Sequence, residues 1–222
     1  MKKSIKAALL GTTMAFAANL ASAGVIVTDD FSSNKGWSLG TNWEIGSTKV
    51  SPASNGNPDP ATDHSATADN GVLGSKLGGN VGAPEGLHDF YYATSPTYNL
   101  SNVKDVNVSF YRWLNSDYKP YMTSQVEAFD GNAWHVIFTN ANASIYDNAW
   151  TQQSYDVSAF ADNNANFALR FSYNVGSNGV YTVSGWNVDD LAISGNVPEP
   201  GSLMLIGLGL AAFAVRRKGK AA

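Results

Sequence analysis

Val106-Asn107-Val108-Ser109-Phe110-Tyr111 and Phe167-Ala168-Leu169-Arg170-Phe171-Ser172-Tyr173 each set large apolar side chains at every second position. A period of two puts Val106, Val108 and Phe110 on one face and Asn107, Ser109 and Tyr111 on the other, so both segments read as half-buried β-strands. Trp134, Val136 and Phe138 repeat the pattern, and Asp130-Gly131 supplies a hairpin turn between them and a strand over 124–129. Further strands are predicted over 24–29, 36–45, 91–94, 151–156 and 185–194, separated by Gly, Asn, Asp, Ser and Pro. Outside the two ends no window has a 3.6-residue apolar period. Around ten strands in one domain predict an all-β fold, a two-sheet antiparallel β-sandwich of jelly-roll type. The long stretch 47–89, rich in Gly, Asn, Asp and Pro, is expected to be an irregular loop, and loops of that length are usually functional or disordered.

Both ends read as targeting segments. Met1-Lys2-Lys3 and Lys6 precede an alanine-rich apolar stretch, and Ala21-Ser22-Ala23 has the A-x-A form of a signal peptidase site. Residues 1–23 are therefore expected to be a signal peptide with a helical apolar core, and the mature chain to begin at Gly24. At the other end Val197-Pro198-Glu199-Pro200 leads into an apolar run over 203–215, followed by Arg216-Arg217-Lys218. As a helix that run is ~20 Å long, short of the roughly 20 residues a permanent span requires. The basic cluster suits a cytoplasmic end. Pro198 and Pro200 keep Glu199 extended and open to a protease.

The Pro-Glu-Pro box, the short apolar helix and the terminal basic cluster, in that order, resemble the PEP-CTERM sorting tail of Gram-negative bacteria that make exopolysaccharide. The resemblance implies that 196–222 is a sorting tail processed at Pro198, Glu199 and Pro200 by an exosortase-type enzyme. Contact with the membrane would then be transient, and the destination the cell surface, the outer membrane or the extracellular matrix. A plain C-terminal anchor that is never removed is the alternative.

The chain carries 14 Lys and Arg against 18 Asp and Glu, but half of the basic residues lie in the two end segments. Residues 24–197 keep seven basic and seventeen acidic side chains, a net charge of −10. Such a domain is a poor nucleic-acid binder, because phosphate contacts require Lys and Arg. There is no cysteine, so stability must come from the core and from any bound metal.

Several ordered pieces resemble a second family. They are Asp63-His64, Gly74-Ser75-Lys76-Leu77-Gly78-Gly79-Asn80, Tyr91-Tyr92-Ala93-Thr94, Arg112-Trp113-Leu114, Asp130-Gly131-Asn132-Ala133-Trp134, Leu169-Arg170-Phe171 and Gly185-Trp186-Asn187-Val188-Asp189-Asp190-Leu191. Together, over 24–195, they look like the MAM-like, adhesin-like jelly-roll modules appended to secreted bacterial proteases and surface proteins. The resemblance implies a non-catalytic role in adhesion or ligand binding, with structural calcium.

Calcium takes hard oxygen ligands, which the acidic loops offer. Asn55, Asn57 and Asp59 alternate as in calcium loops, but Pro60 stands where an EF-hand needs glycine. In the last strand Trp186 and Val188 have one parity, Leu191 and Ile193 the other, so a β-bulge is expected at Asp189-Asp190. Two adjacent carboxylates repel unless a cation or an arginine neutralises them. The expected calcium ligands are Asp189 or Asp190, helped by Asp30 or by the region of Asp63 and Asp69; a salt bridge from Arg112 or Arg170 is the alternative. His64, His88 and His135 are scattered, and neither a metal-binding His pair nor a G-x-S-x-G elbow is present, so an enzyme is not expected. Among the aromatics, Tyr111 and Trp113 at outward parity and Tyr118 and Tyr121 in the next loop are the expected sugar-stacking platform. The sequence thus predicts an exported, non-catalytic β-sandwich that binds polysaccharide or other matrix components with structural calcium. The alternative is a self-associating matrix protein, ahead of a secreted hydrolase.

Overall fold

The computed structural model describes residues 23–52, 54–65 and 67–197. The processing residues Ala21, Pro198, Glu199 and Pro200, and the predicted apolar helix, lie outside the described residues; Ala23 opens the first strand. Among the described residues no helix is long and apolar enough to cross a membrane.

Two sheets face each other. In sheet A, β7 (Lys104–Ser116) and β14 (Gly185–Asn196) pair antiparallel at the centre. The other edge of β7 takes β10 (Ile145–Tyr146) and β11 (Thr151–Asp156). The other edge of β14 takes β1 (Ala23–Asp29) and β4 (Gly71–Ser75), and β3 (Trp43–Ser47) closes that side on β4. Sheet B runs β2 (Ser38–Leu39), β6 (His88–Thr94), β12 (Ala168–Val175), β8 (Met122–Phe129), β9 (Trp134–Thr139). A two-stranded ribbon of β5 (Val81–Gly82) and β13 (Thr182–Val183) and a single helical turn α1 (Ser158–Ala161) complete the elements. The all-β antiparallel sandwich is as the alternation predicts.

The inward parity of both sheets forms the core. Val106, Val108, Phe110 and Leu114 of β7 and Trp186, Val188, Leu191 and Ile193 of β14 are all buried, as are Leu169, Phe171, Tyr173 and Val175 of β12 across from them. Phe171 joins the sheets: its ring lies 5.1 Å from Phe110 and 5.7 Å from Trp186. The Trp186 indole N–H donates to the Ser172 carbonyl, so the largest core side chain buries no unpaired donor.

Two sequence expectations are corrected. The strand predicted over 36–45 is two strands in different sheets, β2 in B and β3 in A. The chain turns between them at Gly40–Asn42, where the Trp43 N–H donates to the Gly40 carbonyl and Asn42 takes a φ of 65°. The stretch 47–89 is not irregular throughout, since it contains β4, β5 and the start of β6. β4 reads Gly-Val-Leu-Gly-Ser and is buried at every position, so it has no alternation to detect. Its glycine at 74 is needed for close approach: a Cβ there would lie 3.2 Å from the Trp186 carbonyl oxygen and 2.2 Å from the Leu77 side chain.

Candidate functional site

Residues 54–65 lie against the outer face of sheet A, and the bulge in β14 fastens them. Asp189 pairs with Tyr111 and Ala192 with Ser109, so two residues of β14 oppose one of β7. Asp190, at φ 49°, takes up the extra length. The expected bulge is therefore present, and it turns both carboxylates to the same loop residue. Asp189 Oδ2 accepts from the backbone N–H groups of His64 (2.8 Å) and Ser65 (3.0 Å), while Asp190 Oδ2 meets His64 Nδ1 at 2.7 Å. The His64 ring stacks on Tyr111, with centroids 3.3 Å apart. Further along, the Trp113 indole N–H donates to the Pro58 carbonyl and that of Trp150 to the Thr62 carbonyl, and the two indoles meet edge-on at 5.9 Å. Gly56, at φ 73°, lets the loop lie flat, since a Cβ there would come within 2.5 Å of the Asn115 side chain.

The five aspartates expected as calcium ligands fall into three groups: Asp30 by itself, Asp63 and Asp69 at the Thr67 hydroxyl, and Asp189 and Asp190 at His64. Among the described residues no group of three or more His, Asp or Glu side chains is placed to hold a metal ion. Asp30 is paired with Lys35 at 3.1 Å. Asp63 accepts from Ser65 Oγ and Thr67 Oγ1, and Asp69 from Thr67 Oγ1. Asp189 and Asp190 are clasped to His64. The alternative arginine partners are also engaged elsewhere: Arg112 with Asp147 at 2.8 Å and Arg170 with Glu127 at 2.8 Å. The four expected sugar-stacking aromatics divide as well. Tyr111 and Trp113 support the loop, and Tyr118 and Tyr121 pack on each other at 5.1 Å.

Electrostatics sets a pH dependence. Burial pushes the Asp59 carboxyl up to about 7 and that of Asp189 up to about 6, from 3.8. A group with a raised folded pKa gives stability that is fully present below its unfolded value and is lost as pH rises through its folded value. Asp30, held low at about 2 first by Lys35, and Asp130, held low at about 2 first by the Ala133 N–H, act in the opposite sense below pH 4. In chelator-treated protein, thermal stability should therefore peak near pH 4 and fall by several kcal/mol by pH 7.5. Melting curves from pH 3 to 8 measure this; a flat profile between pH 4 and 7.5 would contradict it.

The outer face of sheet B carries a different arrangement. The Arg170 guanidinium of β12 lies between the rings of Tyr92 on β6 and Trp134 on β9, 4.2 Å from each centroid. Phe90 packs beside Tyr92 along β6, ring centroids 6.0 Å apart, and Phe129 of β8, the strand between β12 and β9, packs beside Trp134 at 5.1 Å. The result is a ladder of three planar groups, Tyr92, Arg170 and Trp134, with Phe90 and Phe129 packed against its two rings. Glu127 of β8 fixes its centre by two parallel hydrogen bonds to Arg170, both 2.8 Å. The four aromatic residues are half-buried, and Val136 beside them is 50% exposed. Thr123, Gln125 and Asn174 have the same outward parity. Sequence reasoning missed this face. The signal was local for each strand (Phe90 and Tyr92 alternate with Tyr91 and Ala93), but the ladder needs the strand order that brings β6, β12 and β9 together.

The three histidines pair with three different acids. His64 takes Asp190, His135 Nε2 meets Asp130 at 2.7 Å, and His88 Nε2 stands 3.6 Å from Glu85. Glu85 in turn accepts from the Tyr173 hydroxyl, the Gly82 N–H and the Asn42 amide. These carboxylates secure turns and strand ends.

A search of curated proteins finds no match to the chain. Among solved structures, the K1 cleaved adhesin domain of Lys-gingipain from Porphyromonas gingivalis W83 is similar, at 14% identity and a TM-score of 0.44, with 79% of this chain and 99% of that chain covered. A carbohydrate-binding module studied for specific mannan recognition is similar at 13% identity and a TM-score of 0.43, covering 80% of this chain and 100% of that chain. The CBM22-1-GH10 modules of a Clostridium thermocellum xylanase complexed with xylohexaose are similar at 19% identity and a TM-score of 0.41, covering 78% of this chain and 28% of that chain. In the sequence itself, residues 196–218 match the family model of the PEP-CTERM protein-sorting motif, which marks the chain for export and sorting to the cell surface.

Proposed function

We propose that the protein is an exported, non-catalytic module that holds a neutral polysaccharide at the cell surface or in the extracellular matrix through the outer face of sheet B. The ladder Tyr92, Arg170 and Trp134, with Phe90 and Phe129 packed against it, carries this reading. Sugar rings offer apolar C–H faces and hydroxyl edges. Half-exposed aromatic rings beside outward Thr, Gln and Asn side chains match both. Glu127 is committed to Arg170, which favours a positioning role over proton transfer. The mature region's seventeen acidic side chains against seven basic ones disfavour polyanionic glycans. The sorting motif supports delivery to where such polymers lie.

The test is tryptophan fluorescence of the full chain in mild detergent, titrated with xylan, mannan and, as a polyanion, alginate. A neutral polymer should shift the emission. Trp134→Ala should weaken binding at least ten-fold, about 1.4 kcal/mol, with little change in melting temperature. Trp113→Ala should leave affinity unchanged. Absence of binding to any neutral polymer, or full affinity in Trp134→Ala, would overturn the reading.

A further inference from the structure

We propose that Arg170 itself contacts the saccharide, and that the open tip of its guanidinium selects polymers whose sugar rings keep two free vicinal hydroxyls. This inference rests on the polysaccharide reading and names the sugar chemistry that the same face accepts. A guanidinium carries five N–H donors in one rigid plane. In Arg170 the Nε–H and one Nη2–H are taken by Glu127. Among the described residues the Nη1 group meets no acceptor, and it is not one of the buried polar atoms left without a partner, so it reaches the surface. Arg112 shows how an arginine with a purely structural role is treated in this chain. It makes the same pair of bonds to Asp147, but its Nη1 is closed by Gln153 Oε1 at 3.5 Å, and its side chain is 12% exposed against 20% for Arg170. One fork is finished inside the protein and the other is left open in the middle of an aromatic face.

The chemistry of the missing acceptor follows from the fork. The open tip offers one N–H from each Nη, parallel and in one plane, and Tyr92, Trp134 and Glu127 hold that plane in place before any ligand arrives. Such a tip fits two acceptor oxygens side by side, which carboxylates, phosphates and vicinal hydroxyls provide. The two anions are disfavoured, because Glu127 already neutralises the guanidinium and the mature region carries seventeen acidic side chains against seven basic ones. Vicinal hydroxyls accept both N–H groups without bringing a charge. Their own hydrogens then require acceptors, and Gln125, half-buried at the outward parity of β8, stands two residues or about 7 Å along the strand from Glu127. Linkage decides which neutral polymers qualify. A 1,4-linked pyranose keeps O2 and O3 free and adjacent. In a 1,3-linked chain O3 is consumed by the linkage, and the free O2 and O4 are no longer neighbours.

Fluorescence titration of the full chain in mild detergent with β-1,4-xylan, β-1,3-glucan and alginate tests this. The wild type should bind the xylan roughly ten-fold or more tighter than the β-1,3-glucan, a comparison that needs no variant to fold. Arg170→Lys keeps a cation beside Glu127 but has no fork, so its affinities for the two neutral polymers should come within about three-fold of each other. A structural role alone would weaken both polymers alike and leave their ratio at the wild-type value. Equal wild-type affinities for the two neutral polymers, or a ratio kept in Arg170→Lys, would overturn the inference and leave the polysaccharide reading standing. Alginate bound more tightly than xylan would assign the fork to carboxylates and overturn it as well. Binding to neither neutral polymer would remove the reading and the inference together.

Discussion

Arg170→Ala should destabilise the domain by about 3–5 kcal/mol, because it strands the Glu127 carboxylate in a largely buried position. Glu127 is 6% exposed, and both of its oxygens are used by Arg170. The same change removes the cation from between Tyr92 and Trp134, where each ring contact is 4.2 Å. Saccharide affinity should fall with stability, since the rings lose the plane that spaces them. Chemical denaturation of the single variant and of the double variant Arg170→Ala/Glu127→Ala separates the causes. If the stranded charge dominates, the double variant recovers much of the lost stability while binding stays impaired. A single variant within about 1 kcal/mol of wild type would show that the pair is no more than a surface salt bridge.

Asp189→Ala should cost about 3 kcal/mol and act on one segment first. Asp189 is fully buried and serves three backbone donors: His64 and Ser65 from the loop, and Asp190 at the bulge, the last at 2.7 Å. Without that acceptor the loop is held at this point mainly by His64, through its stack on Tyr111 and its contact with Asp190. Amide hydrogen exchange at His64 and Ser65 should accelerate by orders of magnitude, while the amides of β12 remain protected. Asp189→Asn, which keeps one acceptor oxygen, should lie between the two. Unchanged exchange in 55–65 would mean that Trp113 and Trp150 anchor the loop without the bulge.

Alternation made the fold class legible because one face of most strands is buried and the other is not. Val106–Tyr111 of β7 shows this best, with Val106, Val108 and Phe110 buried and the residues between them only half-buried, while for Thr151–Asp156 the predicted and observed bounds are the same. The method fails at β4, which is buried on both faces, and at Gly40–Asn42, where the chain changes sheets inside one apolar stretch. The bulge was legible for a specific reason: a parity slip between Val188 and Leu191 is visible without knowing any partner. What the two aspartates do there was not, since their partners come from a loop some 125 residues earlier in the chain. Tyr111 and Trp113 show the same limit. Their outward parity was read correctly, but parity cannot say that another segment lies over that face. The Arg170 ladder was hidden for the converse reason, because it and the residues packed on it are spread over β6, β8, β9 and β12.

The place of β14 in its sheet has a mechanical consequence. Its final residues, Leu191–Asn196, are bonded to β7 on one edge and to β1 on the other. The sorting motif begins where this strand ends. Tension arriving from a surface attachment therefore pulls along a central strand, and the hydrogen bonds on both flanks lie across the pull and bear it together in shear. An attachment through an edge strand would peel its bonds one after another at much lower force. On the proposed reading, a sandwich hung from β14 would resist drag on a polymer held by sheet B without unravelling from the point of attachment.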